Sequence, residues 1–487
     1  MKQLPISISL LPLLAAISAV RADVSVTNLF TDNMVLQRDL PCPVWGTAES
    51  GEKVTVKLGP SEASATAGAD GKWSVKLPAS KMNAAGQDLV ITGKNTITIK
   101  DVLVGDVWVC SGQSNMEWAV NQSNGAEDAA AANLPNIRRI KLNHVSLNKP
   151  TTNVPNKWEV CSPQTAGKFT AVGFYFARRV QKETGVPIGL LDDNWGGTRI
   201  EPWVPLAGFE MVPELSAIAD KVKQRDAAAT GDPARIGHGE PVALYNGMIA
   251  PVMPFGIKGA LWYQGESNGG EGEEYFHKMR ALVGGWRTVW GQGEFPFYFV
   301  QLANFQKDNN TPEGGDGWAR VRAAQTKSLT IPKTGMAVII DIGEERDIHP
   351  KNKFDVGERL ALWALHHDYG KKDVVPGGPL FKAAKVEGDK IRVSFDYAAN
   401  GLIVGRKEGR NPVEAVADGK LARFSIAGAD KKWVWADAVI DGGTVVVSSK
   451  EVPQPVAVRY AYSMNPAGAN LYNKEGLPAS PFRSDDW

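Results

Sequence analysis

The run Val107-Trp108-Val109-Cys110-Ser111-Gly112-Gln113-Ser114-Asn115-Met116 decides how the rest of the chain is read. Residues 102–109 are mostly apolar, the pattern of a strand buried on both faces. The run ends at Ser111-Gly112, and after Asn115 the pattern suits the start of a helix. Ser114 therefore falls at a strand-to-helix junction. A hydroxyl there lies at the edge of a sheet, beside backbone N–H groups that have no intrahelical acceptor. Those groups can hold the oxyanion that develops when a hydroxyl attacks a carbonyl. Serines in such places also serve as plain caps or turn residues, so the reading depends on what lies downstream.

Downstream, strand-like and helical runs alternate. Phe174, Ala177 and Val180 keep a helical spacing, Gly185 suits a helix stop, and residues 186–191 read as a buried strand. Residues 256–263 form another strand-like run. Tyr275, Met279, Leu282, Trp286 and Val289 make a helical stripe. Residues 295–302 read as a strand, 319–329 as a helix, 336–342 as a strand and 355–369 as a helix. Repeated units of this kind imply an α/β domain with a mainly parallel sheet covered by helices, whose sites form at the carboxyl ends of the strands. We place this domain at residues 101–371, with the polar stretch 203–250 as an irregular excursion. Residues 23–100 alternate in the β manner (Val54, Val56, Leu58; Trp73, Val75, Leu77), with Asp70-Gly71 as a hairpin turn, and suggest a β-sandwich. The β pattern returns over 372–487, where Ile391, Val393 and Phe395 alternate and the tail from Asn465 is loop-like.

At 487 residues the chain exceeds one core, and its formal net charge of +1 suggests neither nucleic acid nor an anionic membrane surface as a partner. Lys2, the apolar run 4–17 and Val20-Arg21-Ala22 fit a signal peptide, predicting export to the periplasm or the exterior and a mature chain beginning at Asp23. No later run is long enough for a membrane span. Three cysteines, Cys42, Cys110 and Cys161, permit at most one disulfide and do not say which. No Cys/His spacing suggests a metal, and no cofactor is called for.

A serine nucleophile needs a base. Of the six histidines, His366 and His367 are adjacent on a helix and face different ways. His277 lies within a helix, and His144 and His238 lie in irregular segments. His349 lies beyond the strand ending at Ile342, where a base belongs, with Asp347 two residues before it. Two further loops end buried strands. In Asp193-Asn194-Trp195-Gly196-Gly197-Thr198-Arg199 the glycine pair lets the backbone approach a ligand. In Trp262-Tyr263-Gln264-Gly265-Glu266-Ser267-Asn268 the amide and carboxylate can bind an oxyanion or orient a histidine.

Together the runs 111–116, 194–198, 262–268 and 347–350, with the opening Asn28-Leu29-Phe30 and the tail 470–483, resemble the sialate O-acetylesterase family of SGNH hydrolases over nearly the whole mature chain. The resemblance implies metal-free hydrolysis of O-acetyl esters on sugars, with sialic acids or plant cell-wall polysaccharides as the sugar. It carries the nucleophile to Ser114 and the general base to His349, and the oxyanion hole to the Ser114 N–H, Gly197 and Gln264. Trp195, Arg199 and Trp262 become candidate walls for the sugar, with Arg199 either a partner for a sialic carboxylate or part of a structural ion pair. The usual pattern puts the acid three residues before the histidine, where this chain has Arg346, so Asp347 and Glu266 both stand as the third member. A glycoside hydrolase would use Glu266 and Asp347 as paired carboxylates and leave Ser114 idle. A non-catalytic glycan-binding protein would rest on the β regions instead. Oligomeric state is not legible in the sequence.

Overall fold

The computed structural model describes residues 23–152 and 155–487; the expected leader lies outside them. The α/β half is built on seven strands: β1 (Thr96–Gly112), β2 (Leu134–Lys141), β3 (Trp158–Cys161), β4 (Ile188–Asn194), β5 (Gly259–Tyr263), β6 (Phe297–Val300) and β7 (Thr334–Ala337). Their spatial order is β3-β2-β4-β1-β5-β6-β7. All neighbours are parallel except the edge pair β2–β3. From β1 the chain first builds one side of the sheet and then crosses to the other. The crevice beyond the carboxyl end of β1 is therefore a topological switch point, where open α/β sheets bind ligands.

Four helices matter for the site: α1 (Ser114–Glu117), α2 (Ala171–Thr184), α3 (Glu273–Trp290) and α4 (Lys353–His367). Side chains alternate across a strand, so Trp108 and Ser111 of β1 point to opposite faces. Trp108 meets Phe176 of α2, ring centroids 4.9 Å apart. Ser111 is in register with Trp262 of β5, which packs against Trp203 and against Trp286 of α3. Both faces are thus covered, which is why the central strands read as continuous apolar runs.

The boundary expected at 100/101 falls inside β1. This 17-residue strand alternates between exposed and buried as far as residue 101 and is buried at every position from Val102. Its first half pairs with the strands Asn83–Thr92 and Val35–Gln37 of the N-terminal β region, and its second half is the middle of the parallel sheet. The change of pattern marks where a second covering layer begins, and the strand itself continues through it. Several expected bounds also shift. The helix after Asn115 is a single turn, and the strand expected at 336–342 is confined to Thr334–Ala337. The stretch 203–250, expected to be irregular, contains helices at Leu206–Glu210 and Ser216–Ala228. The second buries only Ala219 and Val222, too sparse a stripe to stand out in sequence.

The C-terminal region has its own core, which includes Ile391, Val393, Phe424, Ile426, Val458 and Tyr460. Its tail is less loop-like than expected. Leu471–Asn473 pairs with Leu402–Arg406, and Phe482–Arg483 with Pro455–Tyr460. Buried Arg322 ties the segment just before the tail to the parallel sheet by donating to the carbonyls of Leu302, Ala303, Ser463 and Met464 at 2.5–2.8 Å. All three cysteines are buried free thiols. Among the described residues no helix is long and apolar enough to cross a membrane.

Candidate active site

Three loops leave the sheet at one level, because Gly112 is in register with both Asn194 and Tyr263. Gly112 has φ +132°, and a Cβ there would lie 2.1 Å from the Tyr263 carbonyl oxygen. Only glycine fits so close an approach. The Gln113 N–H donates to the Tyr263 carbonyl at 3.0 Å, and the Trp195 N–H to the Gly112 carbonyl at 3.1 Å. These bonds lock the three loops together before any side chain is considered.

Ser114 opens α1, and its Oγ lies 3.0 Å from His349 Nε2. On the far side of the imidazole, Asp347 Oδ1 is 3.3 Å from Nδ1 and accepts the His349 backbone N–H at 2.9 Å. The loop achieves this by turning tightly, with Glu344 bridging to Asp347. Lys351 holds the other Asp347 oxygen at 2.7 Å and keeps that carboxyl below its ordinary range. Trp118 stacks on the His349 ring at 4.7 Å and 14°. Burial, seconded by the charge of Lys353, holds the imidazole below the usual histidine value. His349 is therefore neutral at neutral pH and able to accept a proton.

The Ser114 and Gly197 N–H groups donate to no protein acceptor among the described residues. Gly196, by contrast, donates to Glu117 Oε2 at 2.6 Å, and a Cβ on it would come within 3.3 Å of the Ser114 Cβ. Three expected contacts are redirected. The Gln264 amide is fully buried, its nitrogen directed to Gln113, Thr198 and Asn268, its oxygen accepting from the Tyr275 hydroxyl. It braces the loops and presents nothing to an oxyanion. Trp262 is 1% exposed within its aromatic cluster and cannot wall a substrate. Arg199 is held by Glu201, Glu271 and the Ser267 carbonyl, the structural ion pair of the two readings. Trp195 stands beside the Ser114 loop, stacked against His144 (4.4 Å) and His238 (5.2 Å). Among the described residues Glu266 makes no hydrogen bond or ion pair with His349; its Oε1 accepts from Asn115 Nδ2 at 2.5 Å. Sequence reasoning missed Asn115, Glu117, Trp118 and Lys353, whose roles arise only from tertiary contacts. Among the described residues no group of three or more His, Cys, Asp or Glu is placed to hold a metal ion.

Residues 104–365 match the family described as carbohydrate esterase, sialic acid-specific acetylesterase. The chain belongs to this family. The sialate O-acetylesterase of Rattus norvegicus is 29% identical over 530 aligned residues, covering 93% of each chain, and that of Homo sapiens is 28% identical over 508, covering 93% and 91%. A solved structure described as a novel carbohydrate acetylesterase from Xanthomonas citri is 39% identical and superposes with a TM-score of 0.83, over 95% of this chain and 100% of that one. Membership in this acetylesterase family makes the protein a carboxylic ester hydrolase.

One buried acid in this acetylesterase scaffold stands apart from the chemistry. Asp193, next to last in β4, is fully buried, and neither carboxyl oxygen has a hydrogen-bond partner among the described residues. Burial pushes its pKa up to about 8, against the opposing pull of Lys141. The native protein thus keeps this proton at pH values where the unfolded chain has released it. Stability then falls as pH rises from the ordinary carboxylate range towards about 8, by up to roughly 1.4 kcal/mol per pH unit. Asp193→Asn is neutral throughout. We expect its melting temperature to fall less than the wild type's between pH 5 and pH 8, and parallel melting curves for the two proteins would refute this.

Proposed function

We propose that the protein is an exported serine esterase that removes O-acetyl groups from sugars. His349 takes the Ser114 proton as the hydroxyl attacks the acetyl carbonyl, and the Ser114 and Gly197 N–H groups hold the oxyanion. The sugar hydroxyl then leaves with the proton from His349, and water, activated by the same imidazole, releases acetate. Asp347 orients the ring and stabilises the imidazolium. The observation that carries the proposal is the 3.0 Å contact between Ser114 Oγ and His349 Nε2 at the carboxyl edge of the sheet. Because His349 sits below the usual histidine value, kcat/KM should hold through neutral pH and fall only on the acid side of that range.

The names of the relatives point to O-acetylated sialic acids or another acetylated carbohydrate as substrate. A panel of acetylated sialosides and plant cell-wall polysaccharides, assayed for acetate release and for glycan length, tests the proposal. Acetate released from at least one member with unchanged chain length is the expected result. Shortened glycans without acetate would replace it with glycoside hydrolysis, and binding without turnover would replace it with a glycan-binding role.

A further inference from the structure

Lys353 is the first residue of α4 and is 0% exposed. A cation there is unfavourable on two counts. It is removed from water, and it sits at the positive end of a helix. Its surroundings compensate. The ammonium donates to Asn115 Oδ1 and lies 5.2 Å from the centre of the Tyr263 ring and 5.9 Å from that of Trp118. Asn115 in turn donates Nδ2 both to Glu266 Oε1, at 2.5 Å, and to the Ile348 carbonyl, at 3.0 Å. One buried amide therefore joins the residue after Ser114, the residue before His349, the loop that follows β5 and the start of α4.

We propose that Lys353 is a positioning residue for ester hydrolysis: through Asn115 it fixes the nucleophile turn against the histidine loop. This inference rests on the reading of Ser114 and His349 as nucleophile and base. Among the described residues Lys353 makes no hydrogen bond to Ser114 or to the imidazole; its hydrogen bond goes to Asn115, and its ammonium also lies over the Trp118 ring that stacks on His349. The groups facing Lys353 are Glu266 from the β5 loop and Glu344, Asp347 and Lys351 from the histidine loop. Burial lowers its pKa to about 7, so it carries its proton over the more acidic range in which His349 titrates. There it opposes protonation of the imidazole, as Lys351 does, while Asp347 favours it.

Lys353→Met removes both the tie and the charge. Lys353→Gln removes the charge but can still donate to Asn115 Oδ1. On a chromogenic acetate ester, Lys353→Met should lower kcat by roughly 10- to 100-fold, the scale of a small misalignment between reacting groups, with KM within about twofold of wild type. Lys353→Gln should recover most of that loss. In both variants the acid limb of kcat/KM should move to higher pH, which a merely structural role would not produce. Wild-type kcat in Lys353→Met, or equal losses in the two variants with an unmoved acid limb, would overturn the proposal. If Lys353→Met fails to fold, the acid limb of Lys353→Gln alone decides, and an unmoved limb counts against it. Ser114→Ala, measured alongside, separates the two readings. Near-wild-type turnover there would remove the nucleophile assignment, whereas a loss of about three orders of magnitude or more in Ser114→Ala beside Lys353 variants with wild-type kcat would remove only this inference.

Discussion

Ser114→Ala should lower turnover by about three orders of magnitude or more while the protein stays folded, the scale seen when a triad nucleophile is deleted. The substitution takes away the hydroxyl that, among the described residues, is hydrogen-bonded to His349 Nε2. It leaves the backbone that surrounds the site untouched. The bonds from Gln113 to Tyr263 and from Trp195 to Gly112 do not involve the serine side chain, and neither does the Asn115 network. Ser114 is only partly buried, so the lost oxygen opens no core cavity and the melting temperature should hold. Some catalysis over water should remain, because the Ser114 and Gly197 N–H groups still polarise a bound acetyl carbonyl. Unchanged circular dichroism together with near-wild-type turnover would show that another group is the nucleophile.

The parts of this site that were legible in sequence are those set by local pattern. An apolar run that gives way to a polar turn containing glycine marks a strand end whatever the rest of the fold does, and Ser114, Asn194 and Gln264 all lie at such ends. Their common level in the sheet follows from the pairing register, which no single segment encodes. The resemblance to the acetylesterase family carried Ser114 and His349, and the two meet in space over a separation of 235 residues. Sequence alone could not tell which face of a strand or loop residue turns outward. Trp262 looked like a platform for sugar, yet it alternates onto the α3 face of the sheet and is sealed there by Trp203 and Trp286. For Arg199 a carboxylate ligand and a structural ion pair both stood open, and its partners Glu201 and Glu271 are set by tertiary packing that the local pattern does not encode. Lys353 falls ahead of the helix expected over 355–369, and nothing in the local pattern singles it out. Its burial follows from the docking of α4 beside the nucleophile turn.

Asp347→Asn should cost about two to four orders of magnitude in turnover at neutral pH, judged from other triads. The lower part of that range is favoured because the Asp347 side chain is 34% exposed and water screens part of its charge. Two effects add. The carboxylate 3.3 Å from Nδ1 selects the tautomer that leaves Nε2 free to accept the serine proton, and it stabilises the imidazolium formed in the transition state. An asparagine amide can do neither reliably, since it can turn a donor towards Nδ1. KM should change little, because Asp347 lies behind the ring, away from Ser114. Glu266→Gln is the informative companion. Burial raises this carboxyl, its Oε2 has no partner among the described residues, and its Oε1 serves Asn115, so it reaches the histidine only through the buried amide network. A glutamine oxygen can still accept from Asn115, and only the charge opposite Lys353 is lost. The expected cost is about tenfold, well short of that for a group in direct contact with the base. Measured side by side on one acetyl ester, a large loss for Glu266→Gln with a small one for Asp347→Asn would give Glu266 the acid's role and leave Asp347 as the anchor of Lys351.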